Sequence, residues 1–124
     1  MILLAIAVGG ALGALARYGC ALLIHRWLGT QFPYGTLTIN VLGCAVIGAV
    51  MFLTEERQMM NESLRVFLTV GILGAFTTFS TFGYETYLLV RDGHGVLAAL
   101  SVAGNLVVGL GAVWAGRAAA QAMV

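Results

Sequence analysis

Gly71-Ile72-Leu73-Gly74-Ala75-Phe76-Thr77-Thr78-Phe79-Ser80-Thr81-Phe82 is the stretch that decides the fold of this chain. It lies inside a long apolar segment, yet its twelve residues hold four hydroxyls, three phenylalanines and two glycines. In hydrocarbon an unpaired backbone group is costly, so irregular backbone survives only where protein or a wet cavity surrounds it. Two glycines followed by a Ser/Thr run predict a helix that breaks at Gly71 and Gly74, frees a few carbonyls and amides, and re-forms. Such breaks at membrane mid-depth are a recurring way to build ion sites. Length argues the same way. Residues 64–90 number 27; at about 1.5 Å each a straight helix would run roughly 40 Å, against a hydrocarbon core of about 30 Å. A tilted, unbroken helix with its hydroxyls bonded back to its own carbonyls is the plainer alternative.

The rest of the chain fits a bilayer. Its 124 residues are 60% hydrophobic and 9% charged, where a soluble domain carries about 25% charged residues. There is no room for a second domain. A net charge of +1 gives no case for nucleic acid. Cys20 and Cys44 both lie in apolar stretches, so no disulfide framework is implied. Ala14-Leu15-Ala16 looks like a signal-peptide cleavage site, but no positive region precedes it and the apolar run is long enough to span. The N-terminal stretch therefore reads as a first helix of the mature protein.

Four spans are expected, at about 2–24, 34–54, 64–90 and 96–116. The first has a Gly9/Gly13 pair, which lets another helix approach closely, and one charge, Arg17. An arginine there either snorkels to the interface or faces a wet interior. Pro33 opens the second span, at a position where its missing N–H costs nothing. That span puts Thr36, Asn40 and Cys44 on one face, at i, i+4 and i+8. Asn40 is either an interhelical glue, worth about 0.6 kcal/mol, or an amide on a pathway. In the third span Glu85 shares a face with Thr78 and Thr81; a carboxylate at that depth marks function or sits in a water vestibule. The fourth span repeats the pattern of the second, with Ser101 and Asn105 at i and i+4.

Four spans place the N-terminus, second loop and C-terminus on one side, with Arg57, Arg65 and Arg117. The other side has Arg26 and Arg91, plus Arg17 if it snorkels that way. Positive charge thus gives almost no bias of orientation. A chain with no bias can insert both ways, and two opposed copies can form an antiparallel dimer. Four thin, Gly-rich helices are also too few to enclose a hydrophilic path alone. Carbonyls freed at the break would suit a hard cation such as Na⁺. An anion needs donors: amides, hydroxyls and backbone N–H groups. Phe79 and Phe82, at i and i+3, are neighbours on one face, and a phenyl ring has a positive edge that can meet a dehydrated small anion. The same rings could equally be lipid-facing or packing residues.

This pattern resembles the CrcB/Fluc family of fluoride channels over nearly the whole chain. Gly35-Thr36-Leu37-Thr38-Ile39-Asn40, the Gly74–Phe82 run with its Thr-Thr-Phe-Ser-Thr-Phe, Glu85 and Arg17 are the matching pieces. The resemblance implies an all-α membrane protein of four transmembrane helices, the third broken at mid-membrane, working as an antiparallel dual-topology homodimer with two pores. It implies that carbonyls of Gly74 and Thr77 hold a central structural Na⁺, and that Phe79 and Phe82 form a box of ring edges. Asn40 would donate to fluoride, Ser80 and Thr81 would belong to a polar track, and Glu85 would sit by a pore mouth. Arg17, Ser101 and Asn105 complete the expected anion pathway. Two places depart from the family pattern: some relatives have a hydroxyl where Gly83 stands, and the polar residues of the fourth span vary.

The leading function is then a passive, fluoride-selective channel in a bacterial inner membrane, with no catalytic residues. It would drain fluoride that enters cells as its weak acid and is trapped inside as the anion. A small multidrug-resistance-type antiporter also has four spans and dual topology, but needs a carboxylate in its first span, where this chain has Arg17. A non-transporting membrane assembly subunit is the third reading.

Overall fold

A computed structural model describes Met1–Val124, and all of its regular structure is helical. Four helical stretches are long and apolar enough to cross a membrane: Ile2–Leu28, Tyr34–Glu56, Glu62–Arg91 and Gly95–Met123. The first two are α1 and α2. The third is in two pieces, α3 over residues 62–76 and α4 over Phe79–Arg91, and the fourth is α5. Only 24 residues are buried, while Leu3, Leu15, Trp27, Val107, Trp114 and many other large apolar side chains lie on the outside. Lipid is the solvent such a surface fits. This is a multi-pass membrane protein.

Glycine decides how the helices meet. α1 lies against α3 at Gly9 and Gly13. A Cβ at Gly9 would come within 2.7 Å of the Phe67 carbonyl oxygen, and one at Gly13 would strike the Ile72 carbonyl. α2 lies against α5 the same way: a Cβ on Gly48 would strike the Val113 carbonyl, and one on Gly116 the Ala45 carbonyl. Between membrane helices there is no hydrophobic drive, so close backbone approach supplies the attraction through dispersion. The sequence reading found the first of these seams and missed the second.

The third helix is interrupted, but not at the glycines. Gly71 and Gly74 are both within helix, Gly74 at φ −60° and ψ −37°. The break falls three residues later, where Thr77 (φ −82°, ψ 158°) and Thr78 (φ −151°, ψ 118°) are extended. Two consecutive β-branched residues favour extended backbone, and a threonine is a good N-cap for the helix that follows. Gly71 serves instead as a point of contact with α1. Its Cα approaches Gly9, where a Cβ would come within 3.0 Å. Wide π-type turns occur over Phe52–Glu56, Phe67–Leu73 and Gly104–Val108; the second precedes the break in the chain and the third holds Asn105. Such turns concentrate at functional places.

Candidate functional site

Asn40 of α2 holds the break. Its Oδ1 accepts from the Thr78 amide at 2.9 Å, and its Nδ2 donates to the Thr78 carbonyl at 3.1 Å. The side chain thus pairs with one residue's backbone as a neighbouring strand would. Since the Thr78 N–H can only donate, the orientation of the Asn40 amide is fixed. The second Nδ2 hydrogen goes to Asn105 Oδ1 at 2.9 Å. Asn105 in turn donates to the Ser101 carbonyl, one helical turn back, at 2.8 Å. One chain of bonds therefore runs from α5 through α2 to the break, and every orientation in it follows from Thr78.

α4 starts with its own cap. Thr78 Oγ1 accepts from the Thr81 amide at 3.2 Å and donates to Thr81 Oγ1 at 3.0 Å. On the other side of the break, Thr77 donates both its amide and its hydroxyl to the Leu73 carbonyl. In an unbroken helix the amides of Thr78 and Thr81 would meet the carbonyls of Gly74 and Thr77. Here both amides donate to side-chain oxygens instead. The two carbonyls are left without the donors a helix would give them.

A groove of about 350 Å³ follows, lined by Asn40, Cys44, Thr77, Thr78, Phe82 and Asn105 among others. Phe79 and Phe82 meet edge to face, with centroids 5.6 Å apart and planes at 66°. Phe82 is 7% exposed and Phe79 78%, so one ring is set in the protein and the other stands out from it. Ser80 and Thr81 are exposed on α4, next to Phe79.

The remaining expected residues are dispersed. Ser101 is buried at 1% exposure and its hydroxyl has no partner. Glu85 lies away from the groove, in the wall of a second, polar cavity of about 390 Å³ near the first and third loops. Arg17 is half-buried and lines neither cavity. Gly43 belongs to the site and was not expected there: a Cβ on it would strike Thr77 Cγ2. Its place one turn after Asn40, on the same helix face, was the available signal. Thr78 was expected within the irregular run, but that Asn40 holds both of its backbone groups had no signal in the sequence.

Residues 4–117 match the family model described as CrcB-like protein, Camphor Resistance (CrcB). Among curated relatives, one from Geobacter metallireducens is 46% identical over 114 residues, covering 92% of each chain. Another, from Geobacter sulfurreducens, is 45% identical over 119 residues, covering 96% of each. A third, from Chloroflexus aurantiacus, is 47% identical over 111 residues, 90% of this chain and 88% of the relative. All three are named fluoride-specific ion channel FluC.

Proposed function

The chain belongs to the CrcB family, and on that premise we propose that it is a fluoride-specific ion channel that lowers cytoplasmic fluoride by passive export. The observation that carries the reading is the junction itself: Asn40, Asn105, Thr78 and the Phe79–Phe82 pair, drawn from three helices, converge on one groove. Its lining offers amide and hydroxyl donors beside ring edges, a set suited to a small dehydrated anion and without a carboxylate. The antiporter reading falls away, because the family's curated members are channels and the first span has Arg17 in place of an acid. Ion channels are not enzymes, and no reaction is assigned.

The working unit we infer is an antiparallel homodimer in a bacterial inner membrane. Three observations support it. Arginine is balanced between the two sides. Phe79, Ser80, Thr81, Tyr84 and Tyr87 form an exposed face on α4 that mixes hydroxyls with rings. Lipid is a poor solvent for such hydroxyls; a second copy is a better cover. Finally, a Cβ at the exposed Gly74 meets nothing nearer than the Thr69 carbonyl oxygen at 3.6 Å. Room for another backbone remains there.

In that dimer, the Gly74 and Thr77 carbonyls of both copies would surround a central Na⁺. Their fit is chemical: four uncharged hard oxygens, already deprived of helix donors. A bound Na⁺ supplies fixed positive charge beside the anion path. Fluoride would pass Asn40 by replacing one of its acceptors, then Ser80 and Thr81 and the edges of Phe79 and Phe82. Glu85 would lie at the mouth.

Fluoride efflux from liposomes holding the pure protein tests the function. Fast, fluoride-selective efflux is expected, without a proton gradient; efflux that requires one, or none at all, would reject the channel. Prolonged dialysis into Na⁺-free buffer should lower both flux and dimer stability. Full flux from demonstrably Na⁺-free protein would remove the cation and keep the channel.

A further inference from the structure

Thr77 is held both by its own helix and by α2. Its amide and hydroxyl donate to the Leu73 carbonyl, at 3.1 and 2.9 Å. A threonine Cβ is chiral and stiff at χ1, so fixing Oγ1 against that carbonyl also fixes the direction of the methyl. The methyl lies against the buried Gly43 of α2, where a Cβ would strike Cγ2. Nothing else crowds that Cβ: the next atoms, Phe76 Cδ2 and Thr77 Cβ, stand at 3.8 Å, an ordinary contact. One methyl therefore fills the space that one missing Cβ leaves.

Three residues earlier on the same helix, Asn40 accepts from the Thr78 amide at 2.9 Å. That N–H belongs to the peptide joining Thr77 to Thr78. The peptide is trans, so its other end, the Thr77 carbonyl, points the opposite way, away from α2. We propose that Gly43 is a positioning residue: its missing Cβ seats the Thr77 methyl, and that seat aims the Thr77 carbonyl at the central Na⁺. This rests on the channel and cation reading above. The work of Thr77 then divides by atom. The hydroxyl closes α3 onto Leu73, the methyl registers the chain against α2, and the carbonyl faces the ion. Gly43→Ala removes the seat. Either Thr77 gives up its bonds to Leu73, or α2 withdraws and takes Asn40 away from Thr78. Both turn the carbonyl.

The test moves one methyl across the contact. Gly43→Ala adds a methyl to α2, Thr77→Ser removes one from the break, and the double variant conserves the total volume, the kind of exchange that packed sites tolerate best. Two quantities are measured for all four proteins. One is fluoride efflux from proteoliposomes. The other is the Na⁺ concentration giving half of the rise in melting temperature when Na⁺ is returned to dialysed protein. Gly43→Ala should lose about tenfold in flux and need about tenfold more Na⁺, within the range of coupling between residues in contact. Thr77→Ser leaves a hole of one methyl and should change each by about two- to threefold. The double variant should return to within about threefold of wild type on both. Wild-type values in Gly43→Ala, or a double variant no better than Gly43→Ala alone, overturn the inference. So does a lower melting temperature in Gly43→Ala with an unchanged Na⁺ requirement, since that is packing alone. If Gly43→Ala does not fold, recovery of folded, conducting protein in the double variant supports the seat, and a double variant that also fails overturns it. No wild-type flux rejects the channel reading instead, while the Na⁺ measurement still decides the seat. No wild-type response to Na⁺ rejects the cation, and the aiming role with it.

Discussion

α2 takes part in two junctions of opposite kind. At Gly48 it meets α5 through bare backbone, with Gly116 answering from the other side. Two turns earlier, at Asn40, it meets the α3/α4 break through a side-chain amide with all its hydrogen-bonding groups but one lone pair engaged. The first junction joins intact helices, whose backbone groups are already paired, so closeness is all that is needed. The second joins a broken one, whose freed groups must be met. Small residues serve where the backbone is whole, and polar ones where it is open.

Gly116→Val tests the first junction and should have the largest effect. The added side chain must displace the Ala45 carbonyl, which is backbone, so the cost should exceed about 3 kcal/mol. Little folded protein is expected on size-exclusion chromatography in detergent. A monodisperse, wild-type-like peak would show that the seam is not close-packed.

Asn40→Ala tests the second. It strips partners from the Thr78 amide and carbonyl, at about 1–3 kcal/mol for each buried group left unpaired. A lower melting temperature and at least a tenfold loss of fluoride flux are expected. Unchanged melting and flux would mean the break holds itself open.

Phe79→Ile and Phe82→Ile separate packing from conduction beside that break. Both should reduce flux with the dimer intact. Only Phe82→Ile should also lower stability, by about 1 kcal/mol, because that ring alone is buried within the chain. Wild-type flux in both variants would return the rings to a packing role.

Arg117→Gln should do least. Arg117 meets Glu56 at 2.7 Å, yet the two side chains are 42% and 49% exposed. Exposed pairs contribute about 0–1 kcal/mol. Unchanged flux and a melting shift near the limit of detection are expected; a large loss would give the charged end a part in the comparison above.

Composition and periodicity sufficed for much of this protein. Sixty per cent apolar residues and four long spans follow from the sequence because every backbone group in lipid must be paired within a helix. The Thr-Thr-Phe-Ser-Thr-Phe run located the irregular region, and Asn40 and Asn105 were legible as costly amides. Tertiary structure decided the rest. Glycine is ambiguous along a chain: Gly71 looks like a breaker and proves to be a contact with Gly9, a role visible only once α1 lies beside it. The break moved to Thr77–Thr78 because the amide that would continue the helix finds a better-placed acceptor 38 residues away in Asn40. Local sequence records which residues can break a helix. Which one does is settled by the partner waiting for the freed groups, and that partner belongs to another helix.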